Sequence, residues 1–262
     1  MGRGYLKTCF MENTAMTCVV MVILLLASHH TDAHAGEVAE DTSAIVTAVM
    51  KDQYGNQYDA RHECWVFTPP SEEGHSVTYC MRPGPSSVVD TVEGRRLYLY
   101  AANVYDIHDD KRYAYGHNEP GLMGVFKIKL DAKVGWIYVA LDNAMAFGTN
   151  GYCGCNNARF VKLSNQGDYG WLFVSGGTWQ GVTVADYSIV MAHNGRFVDV
   201  SNIPQVTEGE QNIKYELTPL DDYRGAGMVP LKIIKMKDDA KVAEFQIGFD
   251  PKTFTYSLSG SH

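Results

Sequence analysis

The stretch VAEFQIGFD, residues 242–250, alternates: Ala243, Phe245, Ile247 and Phe249 fall on one side of an extended chain, Glu244 and Gln246 on the other. A strand sends successive side chains to opposite faces, so this pattern predicts an antiparallel sheet with one packed face and one wet face. The same period of two recurs in RRLYLYAANVYD (95–106), GVFKIKLD (124–131), GWIYVALD (135–142), GWLFVSG (170–176) and IKYELT (213–218). In YSIVMAHNGRFVDVS, Asn194-Gly195 stands between two alternating runs and predicts a hairpin closed by a primed turn, whose central positions need positive φ. Helical spacing is confined to DTSAIVTAVMKD (41–52), with Ile45, Ala48 and Val49 on one face behind an Asp41 or Thr42 cap. The expected fold is mostly β, an antiparallel sandwich or paired small barrels with one short N-terminal helix.

Several short matches recur in the same order along the chain. Ala60-Arg61 returns as Ala158-Arg159, Trp65-Val66-Phe67 as Trp171-Leu172-Phe173, Gly94-Arg95 as Gly195-Arg196, and DAKV at 131–134 as DAKV at 239–242. Their order predicts two similar halves of about 100 residues. The expected organisation is an N-terminal segment with the helix over 36–57, a first β unit over 58–150 and a second over 151–262, packed as one domain. An equivalence of the two DAKV turns is the test of this duplication.

Residues 1–35 carry Arg3 and Lys7, the apolar run CVVMVILLLA (18–27) and Ala33-His34-Ala35, which together read as a cleaved signal peptide. The run falls short of the roughly 20 residues that span a bilayer, so no integral membrane segment is expected and the protein should be secreted or periplasmic. With 22 Lys+Arg against 30 Asp+Glu the net charge is −8. That balance argues against nucleic acid as a partner, since phosphate backbones attract basic patches.

Beyond residue 35 stand Cys64, Cys80, Cys153 and Cys155, which in an exported chain predict disulfides. CWVFT (64–68) and SVTYC (76–80) are symmetric about Glu72, so a simple hairpin sets Cys64 directly opposite Cys80. Cys153 then bonds Cys155 across one glycine, a tight ring with possible redox use; the competing arrangement has each of Cys153 and Cys155 tie one of Cys64 and Cys80, linking the halves. Zinc fits poorly, because its sites show wider spacing and further ligands.

Catalytic signatures are sparse. Ser175 in FVSGG lacks the G-x-S-x-G elbow. His108, His117 and Glu119, in the loop-like DIHDDKRYAYGHNEP, are weak candidates for a metal and supply the carboxylate and imidazole of a hydrolase reading. No cofactor is expected. The feature that hints at recognition is aromatic: YGWLFVSGGTWQG (169–181) sets Tyr169, Trp171 and Trp179 about a Ser/Gly-rich turn, and exposed aromatic faces take sugars and peptides. The leading expectation is thus an exported binding or structural protein for a glycan, peptide or envelope protein. The second is an exported enzyme, either that hydrolase or a thiol–disulfide protein using Cys153 and Cys155.

Overall fold

The computed structural model describes residues 41–70, 76–206, 209 and 212–258, so the expected signal peptide lies outside the described residues. Helix α1 (Ser43–Tyr54) opens the described chain, two residues later than the spacing suggested. Its buried stripe is Val49, Met50 and Tyr54, with Ile45 and Val46 packed beside them. Gly55 ends it at φ +83°, a left-handed position where glycine carries no Cβ penalty.

Among the described residues the strands form three sheets. Sheet I runs β1 (Tyr58–Asp59), β2 (Cys64–Phe67), β3 (Tyr79–Pro83), β5 (Gly94–Asn103), β6 (Gly121–Asp131) and β7 (Gly135–Phe147), with β4 (Ser87–Thr91) also on β5. Sheet II runs β16 (Phe249–Asp250), β17 (Thr255–Ser257), β12 (Ser201–Val206), β10 (Val182–His193), β9 (Tyr169–Trp179) and β8 (Arg159–Lys162), with β11 (Arg196–Asp199) also on β10. Sheet III is β13 (Ile213–Pro219), β14 (Leu231–Lys237) and β15 (Ala240–Ile247). All three are open sheets with edges, so the architecture is a layered sandwich and not a pair of barrels. Among the described strands, β12 with β17 is parallel and the other pairings are antiparallel.

The layers follow from alternation. Along β5, Leu97, Leu99 and Ala101 join the core under α1, while Tyr98, Tyr100 and Ala102 join a second core shared with Trp171 and Phe173 of β9 and Val190 of β10. On the far side of sheet II, Leu172, Ile189 and Met191 pack with Leu217, Leu231, Ile233 and Ile247 of sheet III. A strand covered on both faces must be apolar at both parities, which is why RLYLYAA reads as a continuous run. The opening stretch is different: in β15, Glu244 and Gln246 are exposed, Ala243 and Phe245 half-buried and Ile247 buried, because sheet III is the outermost layer. Asn194 and Gly195 close β10 onto β11 at φ +50° and +80°, with His193 opposite Arg196, the expected primed turn.

The two DAKV stretches sit at different phases of their turns. In the first DAKV, Asp131 pairs with Gly135 and the three residues between them form the turn. In the second, Asp238-Asp239 form a two-residue turn and Ala240, Lys241 and Val242 already lie in β15. The flanking strands therefore stand in different registers. The likeness between sheets I and II also runs backwards along the chain: β5 carries β4 and β3, which precede it, whereas β10 carries β11 and β12, which follow it. A direct repeat preserves chain order.

Among the described residues the disulfides are Cys64–Cys80 and Cys153–Cys155. In the first, Val66 and not Cys64 stands opposite Cys80, so the bond crosses the ladder diagonally, with Cα atoms 5.3 Å apart. A slip of two residues keeps every side chain on its own face. The second lies in the core between sheets I and II. Its glycine is dictated by space: Gly154 has φ +71°, and a Cβ there would meet the Val174 carbonyl oxygen at 1.8 Å.

Two substitutions test this packing. Trp171→Ala should cost about 3–5 kcal/mol in urea unfolding, as large-to-small changes in a sealed core do. Gly154→Ala should cost well over the ~1–2 kcal/mol of left-handed strain alone, whereas Gly135→Ala, at φ +88° with no atom within 4 Å of its Cβ, should show the strain and no more.

Candidate functional site

The aromatic trio is spread along one strand, β9. Trp171 is buried between the sheets. Tyr169 is half-buried and stacks on Phe160 at 5.3 Å and 8°. Trp179 ends β9, its backbone opposite Val182, and its side chain lies outside the described residues. Tyr169 and Trp179 begin and end the same strand, so their backbones stand roughly 33 Å apart. The sequence placed them around one turn; the chain holds them in one long strand because Trp171 and Phe173 anchor it in the inter-sheet core.

His108 and His117 are exposed and Glu119 is half-buried. His117 accepts the Thr149 hydroxyl at its carbonyl, and Glu119 accepts the Gly116 N–H within its own turn. The structure gathers a different trio, Asp59, His62 and Asp110, where three ligand-type side chains converge among the described residues. The thiol–disulfide reading also loses ground: Cys153 and Cys155 are 0 % exposed, and exchange requires an attacking thiolate to reach a sulfur.

The Asp59 cluster is a closed ion network. Asp59 Oδ2 accepts from Arg112 Nη2 at 2.9 Å and Tyr113 Oη at 3.0 Å, and stands 3.0 Å from His62 Nδ1. Its Oδ1 accepts the Arg61 N–H at 3.0 Å. His62 Nε2 lies 3.3 Å from Asp109, which also pairs with Arg61, and Arg112 pairs with Asp110 at 2.6 Å. Three carboxylates thus face Arg61, Arg112 and a doubly engaged imidazole. A metal would have to displace Arg112 from both Asp59 and Asp110. The network fastens the segment before β6 onto the β1–β2 turn, over the core of Cys64, Cys80 and Tyr113.

The pKa shifts agree with this. The hydrogen bond to Asp59 holds His62 above its ordinary 6.5 against the opposing effect of desolvation. His62 in turn holds Asp59 well below the carboxylate range and lowers Asp109, while Arg112 takes Asp110 down to about 2.

A second locus is a recess of about 430 Å³ where the end of β7 meets β9, β10 and the β11–β12 corner. It is lined by Phe147, Ser175, Asp186, Ser188, Asp199 and Asn202, with Ser201 and Tyr187 at its wall. Asp186 lies opposite Ser175 on β9, next to a register shift in the β10–β12 pairing. Ser188 is buried and its hydroxyl meets that of Ser175 at 3.1 Å. Asp199 sits at the corner, its Oδ1 accepting the N–H groups of Ile189 at 2.9 Å and Ser201 at 3.0 Å. Both aspartates reach solvent yet stand in a hollow of the protein, so desolvation raises each carboxyl, and the charge of Asp199 raises Asp186 further. Among the described residues no Lys, Arg or His lines the recess. A smaller recess of about 350 Å³, by Pro83, Tyr100 and Tyr105, contains Arg82, whose guanidinium is already bonded to the His62 and Glu63 carbonyls.

Sequence reasoning missed this recess, although a signal existed. Asp186, Ser188 and Val190 share one parity of β10, and Val190 belongs to the inter-sheet core. Two polar residues therefore interrupt a core-facing row. No family model, curated protein or solved structure matches the chain.

The ion network makes stability pH-dependent. A raised His62 contributes fully below its unfolded value near 6.5 and loses that contribution as pH rises through the folded value; the lowered aspartates contribute above 3.8 and lose it as pH falls. Thermal unfolding should therefore show the wild type losing stability from pH 6 to pH 8.5, with His62→Gln flattening that slope.

Proposed function

We propose that the chain is an exported binding protein and that the recess between β7, β10 and the β11–β12 corner takes a hydroxyl-rich ligand, a glycan in preference to a peptide or an envelope protein. The observation that carries this reading is the polar lining itself: Asp186, Asp199, Ser175, Ser188 and Asn202 surround one hollow. Carboxylates accept, amides and hydroxyls both donate and accept, and such a mixture suits the vicinal hydroxyls of a sugar. The volume lies within the roughly 300–1,000 Å³ of small-molecule sites. Two disulfides and the apolar N-terminal run of the sequence support export.

A glycan array, followed by titration calorimetry on the best ligand, tests the reading. Asn202→Ala, at an exposed residue, should weaken binding tenfold or more, about 1.4 kcal/mol, without lowering the unfolding temperature. Wild-type protein that binds no glycan, or binding indifferent to Asn202→Ala and Ser175→Ala, would sink it.

A further inference from the structure

We propose that the smaller recess, beside the junction of β3 and β4, takes a zwitterionic ligand of the amino-acid class, a free amino acid or a dipeptide, with Arg82 receiving its carboxylate and Asp106 its ammonium. This second site shares no lining residue with the hollow of Asp186 and Asp199 and does not depend on it.

The recess follows from a break in sheet I. Gly84, Pro85 and Ser86 separate β3, which ends at Pro83, from β4, and a proline brings no N–H to a ladder. Arg82 stands opposite Ala102 of β5, and the Gly84 N–H donates to the Tyr100 carbonyl at 2.9 Å. Tyr100 and Ala102 lie on the face of β5 turned toward sheet II, and residues directly opposite in a ladder share a face, so Arg82 is on it too. Position 84 needs a glycine, because a Cβ there would meet Cζ of Tyr100 at 2.2 Å. The phenol end of Tyr100 is thereby set against Gly84, and both residues line the recess of about 350 Å³. Val104, Tyr105 and Asp106, leaving the end of β5, and Asn156 complete its lining.

Three polar groups of this lining lack the partners that the rest of the chain supplies. Arg82 is positioned by the His62 and Glu63 carbonyls and has no carboxylate partner among the described residues. Asp106 is exposed and has neither an ion pair nor a hydrogen bond among them. Opposite charges thus line one recess without pairing with each other. Independently, Tyr100 is only 5 % exposed, and its hydroxyl has no hydrogen-bond partner among the described residues. The unpaired Tyr98 hydroxyl is sealed from solvent, whereas that of Tyr100 is not; the recess is its outlet. Polar groups so placed are normally paired. A simple anion would meet Arg82 and be repelled by Asp106, and a simple cation would meet the reverse. A ligand carrying both charges satisfies both residues, and its carboxylate also accepts from the Tyr100 hydroxyl. The guanidinium costs little to order, since two carbonyls already hold it. Val104, Pro83 and Pro85 supply apolar lining for the ligand's side chain, and the volume lies within the roughly 300–1,000 Å³ of small-molecule sites.

Ultrafiltration of the full protein with a pool of the common amino acids and their dipeptides, read by mass spectrometry, tests the proposal. Particular members of the pool should be retained, and calorimetry of the most enriched should show binding at least tenfold tighter than that of its C-terminal amide or its N-acetyl form. Arg82→Gln should erase the preference over the amide, and Asp106→Asn the preference over the acetyl form. Tyr100→Phe should weaken the ligand without lowering the unfolding temperature, and it decides the matter if Arg82→Gln does not fold. Asn202→Ala, in the other recess, should leave this affinity unchanged. Retention of no amino acid or dipeptide overturns the proposal, as does equal binding of the free, amidated and acetylated forms. Weakening by amidation alone reduces the ligand to an anion and overturns the zwitterion. A blocked proline tetrapeptide that binds as tightly as the free ligand assigns the groove to chain interiors and overturns it also. Loss of binding in Asn202→Ala moves the ligand to the other recess, which overturns this site and removes the glycan preference there.

Discussion

Leu97, Leu99 and Ala101 turn one way along β5 and Tyr98, Tyr100 and Ala102 turn the other, and the stacking of the layers depends on that two-sided burial. A helix covers one side of sheet I because Val49, Met50 and Tyr54 supply a stripe that fits it. Sheet II covers the other side and repeats the device, presenting Trp171 inward and Leu172 outward to sheet III. Each layer exists because the layer beneath would otherwise leave apolar side chains in water, where each large side chain costs about 1.5–3 kcal/mol. The stack stops at β15, where one parity is charged or amidic.

Local patterns carried much of this architecture. The alternation in VAEFQIGFD, the Asn194-Gly195 turn and the single helix are short-range features, set by side-chain period and backbone φ, and they can be read within a dozen residues. What could not be read is anything that depends on which strands meet. The two-residue slip that moves Cys64 off the position opposite Cys80 preserves side-chain parity, so alternation says nothing about it. Trp171 is the exception among the aromatics, since its alternation with Phe173 marks a core face within a few residues, and it is buried there. The recess draws on residues from Phe147 to Asn202, brought together by the packing of sheet I on sheet II, and no spacing rule spans that distance. The DAKV matches show the converse: identical tetrapeptides fall at different phases of their turns.

The two acidic centres show how context sets the character of one residue type. Asp59 is surrounded by donors and is driven toward permanent ionisation. Asp186 stands at a hollow beside Asp199 with no basic lining residue, and its carboxyl is pushed up toward holding its proton. The first arrangement adds to stability within a pH window and leaves no group free for chemistry. The second opposes stability at neutral pH, a conflict proteins commonly tolerate where a ligand is to be bound.

Cys153 and Cys155 are sealed between two sheets, with Gly154 pressed against β9. An oxidant cannot reach thiols in that position once sheets I and II have closed over them. The Cys153–Cys155 bond forms most readily while the segment is still open, before Trp171 and Phe173 come down on Tyr98 and Tyr100; afterwards it needs a local opening of the sheets. A chain that closes too early keeps two unoxidised sulfurs in its centre. Compartment and timing, as much as contacts, then decide whether the finished molecule is the one described.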